Sequence, residues 1–297
     1  MRIVLVAARA PVFQSLHTTC VESGHTPVAY VYARSPKPGS ELSPTATTRI
    51  SEIVEASPRG MDVLLPGAAG GIARSLVGHR PDLIVVYGLP WRLPRSVLDI
   101  PRLGAINVHA SSLPRYRGPI PVHWAIRNGD PDFGVTVHRM TEEFDAGHVL
   151  AAKDGLPIHE DQTFADASTR IERAAQELLG PALARVADGE PGEPQDERLA
   201  SYAGWMEPAF STVDWSWPAE RIHNQVRTFR YGMPSGPGPL ADVGGEVIRV
   251  LRTSLAEDER AFGVPCADGL IWITEWEPVS REPVRGLVRQ RPPDPAW

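Results

Sequence analysis

Cysteine is nearly absent from this chain of 297 residues, which carries only Cys20 and Cys266. Two thiols so far apart exclude a disulfide framework and a cysteine-ligated zinc site, so a reducing, cytoplasmic compartment is the expectation. Long apolar runs are missing as well. None approaches the roughly 20 residues a membrane-spanning helix needs, and no membrane role is expected. The opening stretch MRIVLVAARAPVF has too short an apolar core for a secretory leader and reads as a first buried strand. Positive charge is not in excess. The net charge of −6 does not point to a nucleic-acid-binding surface, although a local basic patch would escape that count. There is no internal repeat. Hydrophobic residues make up 42% and charged residues 22%, the balance of a globular chain.

What is present is an alternation of short apolar runs with helical patterns. Arg2 to Ala7, Pro27 to Tyr32, Asp62 to Leu65, Asp82 to Tyr87 and Gly104 to His109 read as strands. Val12 to Glu22 and the stretch around Ile72 to Leu76 read as helices, and Arg34 to Thr47 as a Pro/Ser/Thr loop. This βα rhythm predicts an α/β fold with a doubly wound, mostly parallel sheet. Ligands are then expected beyond the carboxyl ends of the strands. Val135 to Met140 and His148 to Ala152 form a hairpin-type pair, and Thr163 to Ala187 a long amphipathic helix. Asp188 to Glu197 is rich in Gly, Pro, Glu and Asp and reads as an exposed linker. Beyond it Trp205, Trp215 and Trp217 cluster, a helix is expected over Pro218 to Phe229, and strands over Glu246 to Leu255 and Leu270 to Trp276. The expected division is a catalytic domain over 1–190, a linker over 191–210 and a small β-rich subdomain over 211–297, with a fraying tail from Arg281.

The chemistry concentrates between residues 104 and 150. Asn107 and His109 sit two apart at the end of a strand-like run, and Asp145 lies in a later turn. An amide can hydrogen-bond a developing oxyanion, an imidazole can carry a proton, and a carboxylate can orient and charge-balance the imidazole. Singly, each has a plain structural reading: a turn cap, a satisfied core histidine, a turn residue. Together at strand ends they point to chemistry at a carbonyl. Other features carry less. Pro66 to Gly71 is glycine-rich but matches neither a dinucleotide nor a phosphate loop. The pairs His109/His123 and His138/His148 lack metal-ligand spacing, so no metal is expected. Trp215 and Trp217 are read as small-domain core.

The segments NVHAS (107–111), LPRYRG (113–118), WAI (124–126), NGD (128–130), GVT (134–136) and DxG (145–147) resemble the formyltransferases that use N10-formyltetrahydrofolate. A second patch, VDW (213–215) and IHNQVR (222–227), is similar to the C-terminal subdomain of the family's tRNA and amino-sugar members. The resemblance implies a Rossmann-like catalytic domain and N10-formyltetrahydrofolate as co-substrate. It makes Asn107, His109 and Asp145 the catalytic triad. It also places the folate against Tyr87, Gly88, Leu89, Trp91, Arg92 and Leu93, with Met140 and Asp145 on the other side. Ser111, Arg115, Tyr116 and Arg117 become candidate substrate contacts. For the two arginines, meeting an anionic group and bracing the loop through local ion pairs both stay open.

Three acceptors fit such a site: a small amine, the methionine of a charged tRNA, or water in a formyltetrahydrofolate hydrolase. The segment Tyr30 to Thr48 lacks the concentrated positive charge that phosphate contacts require, because Arg34 and Lys37 are offset by Glu41. A small-molecule amine, such as an amino sugar or an ornithine-type precursor, is therefore the expected partner. Nucleic acid is not expected, and a homodimer is left open.

Overall fold

The computed structural model describes residues 1–33, 46–89 and 91–279. In chain order its elements are β1 (Arg2–Ala7), α1 (Ala10–Glu22), β2 (Thr26–Val31), α2 (Ala46–Ala56), β3 (Asp62–Leu64), α3 (Ala69–Leu76), β4 (Leu83–Tyr87), α4 (Arg95–Leu98), β5 (Ala105–His109), α5 (Pro121–Arg127), β6 (Asp132–Arg139), β7 (Val149–Pro157), α6 (Phe164–Ala187), α7 (Ala219–Gly232), β8 (Leu240–Val243), β9 (Glu246–Ser254), β10 (Phe262–Cys266) and β11 (Gly269–Pro278). The chain divides into two compact units. The first comprises Met1–Val122, Asp132–Ile158 and Ala165–Trp205, the second His123–Pro131, His159–Phe164 and Met206–Trp297. Residues 191–205 thus belong to the first unit.

The first unit is built on a seven-stranded sheet in the order β3-β2-β1-β4-β5-β6-β7. Strands β1 to β5 pair in parallel, whereas β6 and β7 run antiparallel to their neighbours. Parallel strands are covered on both faces, which is why β4 reads Leu-Ile-Val-Val-Tyr with no polar alternation and its first four residues are buried. Val4, Val6, Val31, Ile84 and Val86 pack with Ile72 and Leu76 of α3. Each such side chain stabilises the fold by about 1.5–3 kcal/mol relative to exposure. Phe13 of α1 stacks on Tyr30, ring centroids 4.0 Å apart, and the Tyr30 hydroxyl donates to the Ala7 carbonyl at 3.1 Å. From β1 the chain builds outward on one side through β2 and β3 and on the other through β4 and β5. The crevice between the carboxyl ends of β1 and β4 is therefore the topological switch point, where such sheets bind ligands.

The second unit carries a four-stranded antiparallel sheet in the order β10-β11-β9-β8, with α7 packed on it. Ile222 and Val226 of α7 meet Ile248 and Val250 of β9 and Ile271 and Ile273 of β11, with Trp215 and Trp217 partly buried against them.

Helix α2 has no counterpart in the expectations from sequence. Its first turn carries the weak helix formers Thr47 and Thr48, and Ala46 and Ile53 are its buried anchors. Strands β8 and β10 are also additions. The expected loop over Arg34 to Thr47 lies mostly outside the described residues, as does the tail from Arg281. The stretch after α6 is not a free linker. Val149 and Glu193 exchange backbone hydrogen bonds at 2.8 and 2.9 Å, and Arg185 pairs with both Glu190 and Glu193. Among the described residues, no helix is long and apolar enough to cross a membrane.

Candidate functional site

Strand β5 is the edge of the parallel half of the sheet, and β6 pairs with it antiparallel, Asn107 opposite His138 and His109 opposite Thr136. Residues opposite one another across a pair share a face, as do residues two apart along a strand. Asn107, His109 and His138 therefore point the same way by construction. Asp145 enters from the β6–β7 connection with φ of 53°, a left-handed conformation that Asp tolerates better than most residues.

The four side chains converge. Nδ2 of Asn107 lies 3.2 Å from Nε2 of His138 and 3.4 Å from Oδ1 of Asp145. Nδ1 of His109 lies 3.6 Å from Oδ2 of Asp145, and Nε2 of His138 lies 3.4 Å from Oδ1. Backbone groups fix what each imidazole can do. Nε2–H of His109 donates to the Tyr116 carbonyl at 2.8 Å, which leaves Nδ1 as the nitrogen facing Asp145. Nδ1–H of His138 donates to the Arg139 carbonyl at 2.8 Å, which turns its Nε2 toward both the Asn107 amide and Asp145.

Burial sets the charges. Burial pushes the Asp145 carboxyl up, but His109, His138 and the Gly118 N–H, which donates at 2.8 Å, more than offset it and hold the group well below the usual carboxylate range. For His109, burial lowers the pKa, and the opposing pulls of Asp145 and the Tyr116 carbonyl do not restore it. Burial thus opposes a charge on His109, and Asp145 is the neighbour that favours one. A proton taken at Nδ1 of His109 would at once gain an ion pair.

The loop from Ser111 to Gly118 is built to hold that geometry. Ser111 is buried and its hydroxyl donates to the Arg115 carbonyl at 2.7 Å, so it closes the loop. Tyr116 is buried, at φ of 59°, with its carbonyl on His109. Arg115 is exposed and lies over the Tyr116 ring, 5.0 Å from its centroid. Arg117 donates to Gln195 at 2.8 and 3.1 Å and to Glu197 at 2.7 and 3.0 Å. Of the two readings left open for Arg117, bracing is the one its contacts fulfil.

The candidate folate segment follows β4 at the switch point. Gly88 turns the chain at φ of 76°, and a side chain there would press on Ala8 at 3.2 Å. Trp91 and Leu93 are buried in the sheet core, with Leu89 and Met140 partly buried against the same cluster. They form walls, which leaves backbone groups to recognise a ligand. Arg92 donates to the Glu142 carbonyl and so ties this segment to the connection carrying Asp145. Among the described residues, no group of three His, Cys, Asp or Glu is placed to hold a metal ion. Cys20 is buried, and burial pushes its thiol up to about 12.

Two members of the site escaped the sequence. His138 was weighed only as a metal ligand, whereas its role follows from strand register. Gln195 lay in what read as linker, yet its side-chain amide donates to the carbonyls of Asp145 and Gly147, each at 2.7 Å.

An amide, two imidazoles and a carboxylate gathered where the parallel and antiparallel parts of the sheet meet suit an enzyme that works on a carbonyl carbon. The chain belongs to the formyl transferase family: residues 1–183 match its N-terminal domain and residues 206–287 the formyl transferase C-terminal domain. It transfers formyl groups, with formyltetrahydrofolate as the donor its family uses. Relatives 33–39% identical are named methionyl-tRNA formyltransferase, and the alignments cover 59–94% of their length. That of Dinoroseobacter shibae is 33% identical over 295 residues, 95% of this chain and 94% of its own. The fold is shared with HypX from Aquifex aeolicus in complex with tetrahydrofolic acid, at TM-score 0.60 and 21% identity. The match covers 95% of this chain but only 45% of HypX. It is shared also with an N-formyltransferase from Helicobacter canadensis, solved with folinic acid and dTDP-3-aminofucose, at TM-score 0.64 and 14% identity over 93% of this chain and all of that one.

Proposed function

We propose that the chain formylates the amino group of methionyl-tRNA, using N10-formyltetrahydrofolate. The observation that carries this is the relative from Dinoroseobacter shibae, aligned over 94% of its own length and bearing that name. From sequence a small amine ranked first and tRNA second. That ranking leaned on net charge and on the loop after β2, residues 34–45 of which lie outside the described residues. The relatives favour the reversed order.

In the proposed chemistry the amine nitrogen attacks the formyl carbon and a new C–N bond forms. The carbonyl oxygen becomes an oxyanion, to which the Asn107 amide donates, an interaction worth about 2.7–4 kcal/mol in comparable sites. The amine proton passes to Nδ1 of His109, where Asp145 stabilises the resulting imidazolium. The bond from carbon to N10 of the folate then breaks, and N10 takes up the proton held on His109, which returns the imidazole to its starting state. The pterin rests against Tyr87 to Leu93, at the switch point of the sheet.

One observation favours the small amine instead. Four described arginines of the second unit are paired with neighbouring acids. Arg227 pairs with Glu160, Arg230 with Asp161, Arg249 with Glu277, and Arg252 with both Asp161 and Glu275. A phosphate-binding face assembled from them would first have to displace those carboxylates. Competition decides between the readings: N10-formyltetrahydrofolate is supplied with charged initiator tRNA, or with a panel of nucleotide-linked amino sugars and N-hydroxyornithine. Formylation of the tRNA, with affinity falling about 0.9 log units per log unit of salt for each phosphate neutralised, supports the proposal. Inert tRNA beside rapid turnover of a free amine overturns it.

A further inference from the structure

We infer that Gln195 is a positioning residue of the transfer site, acting with Arg117 as a clamp on the loop that carries Asp145. The inference rests on Asp145 belonging to that site. Both side-chain N–H groups of Gln195 are used, one on the Asp145 carbonyl and one on the Gly147 carbonyl, each at 2.7 Å. Its Oε1 accepts two hydrogen bonds from Arg117, at 2.8 and 3.1 Å. Only this orientation of the amide satisfies all four contacts, because carbonyls cannot donate and a guanidinium cannot accept.

What the clamp holds is a strained segment. Asp145 is a non-glycine residue at positive φ, a conformation that persists only where surroundings over-determine it. Gly147, two residues on, lies against the Arg139 carbonyl too closely for any side chain. The same Arg117 sits in the loop whose Tyr116 carbonyl orients His109 and whose Gly118 N–H holds Asp145. One amide thus links the backbone of the carboxylate's loop to the loop that supports both the imidazole and the carboxylate. The neighbouring chain reinforces the link. Ser201 accepts from the Tyr116 N–H at 2.9 Å, and the backbones of Arg117 and Ala203 pair at 2.6 Å.

The isosteric variant Q195E makes the test. A glutamate would be a stronger partner for Arg117, so a role limited to bracing that arginine predicts an active Q195E. The clamp predicts the opposite, because a carboxylate facing two carbonyls repels them. Turnover is measured with N10-formyltetrahydrofolate and whichever acceptor the parent protein uses, alongside Q195A, E197A and D145A. Q195A and Q195E are expected to lose about tenfold or more in kcat, since misplacements near 1 Å can cost up to 10²-fold. E197A, which removes only the exposed partner of Arg117, should stay within about twofold. Amide hydrogen exchange gives a readout that needs no acceptor: in Q195A the Gly118 N–H should exchange at least about tenfold faster, with the core of β4 unchanged. Q195E turning over within twofold of the parent, or unchanged exchange at Gly118, overturns the inference. If D145A keeps full turnover, the assignment of the transfer site fails instead, and the exchange result still judges the clamp.

Discussion

Two of the histidine–carboxylate pairs among the described residues, one in each unit, differ in what surrounds the acid. In the first unit, His109 faces Asp145 at 3.6 Å with side chains only 8% and 11% exposed. In the second, His223 meets Glu160 at the shorter distance of 2.9 Å, yet the glutamate is 59% exposed. By distance alone the second pair is the stronger. Its carboxylate, however, is solvated, shared with Arg227 and open to screening, the setting in which ion pairs contribute little. Asp145 has exchanged water for a backbone N–H, an amide and two imidazoles. A charge held that way does work on whatever proton comes near it.

The largest effect should come from dismantling the buried pair. His109→Ala and Asp145→Asn are each expected to lower kcat by about 10²–10³-fold with the fold intact by circular dichroism, the range for general base and oxyanion-hole groups. Turnover close to the parent in either variant would erase the distinction between the two pairs. Gly118→Ala comes next. A side chain there would meet the Tyr202 ring at 2.8 Å and the Ala203 carbonyl at 3.0 Å, at φ of 111°. It should cost about 1–3 kcal/mol of stability by denaturant titration and displace the N–H that holds Asp145.

Acid should sharpen the contrast. His109 has a lower pKa folded than unfolded, with burial as the main cause, so the unfolded chain binds the extra proton. The stability linked to it is full above the ordinary histidine value of 6.5 and is lost as pH falls below it. Asp145 is depressed likewise, and its contribution goes only at lower pH, beneath the usual carboxylate range. His109→Gln should therefore flatten the fall of Tm below pH 6.5, whereas Asp145→Asn should flatten it only in the more acidic limb. The smallest effect is expected for Glu160→Ala, within about 1 kcal/mol by the same titration. A larger loss would show that the exposed pair is more than a surface contact.

The parallel sheet was legible because β1, β4 and β5 are apolar runs bounded by turn residues, and their limits fall within a residue of expectation. The convergence of Asn107, His109 and Asp145 was legible from motif and strand position. His138 was not, because its partner Asn107 is 31 residues away and only the β5–β6 register joins them. Gln195 was hidden for another reason. A Gly-, Pro- and Glu-rich composition says that a segment lacks regular structure, not whether its side chains are stitched to a neighbour. Helix α2 was missed because its start overlaps the Pro/Ser/Thr stretch that reads as loop, whereas burial of Ala46 and Ile53 anchors it.

The stretch that follows α6 sets how far along the chain the support of the proposed site extends. A fragment ending at Ala187 would keep Asn107, His109, His138 and Asp145, the side chains of the proposed transfer site. It would lack Gln195, Ser201 and the strand partner of Arg117. A transplant designed around the motif would thus inherit the reagents without their registration. The bracing of that proposed site extends to the neighbourhood of Ala203, where the last backbone bond to the loop carrying Tyr116 and Gly118 is made.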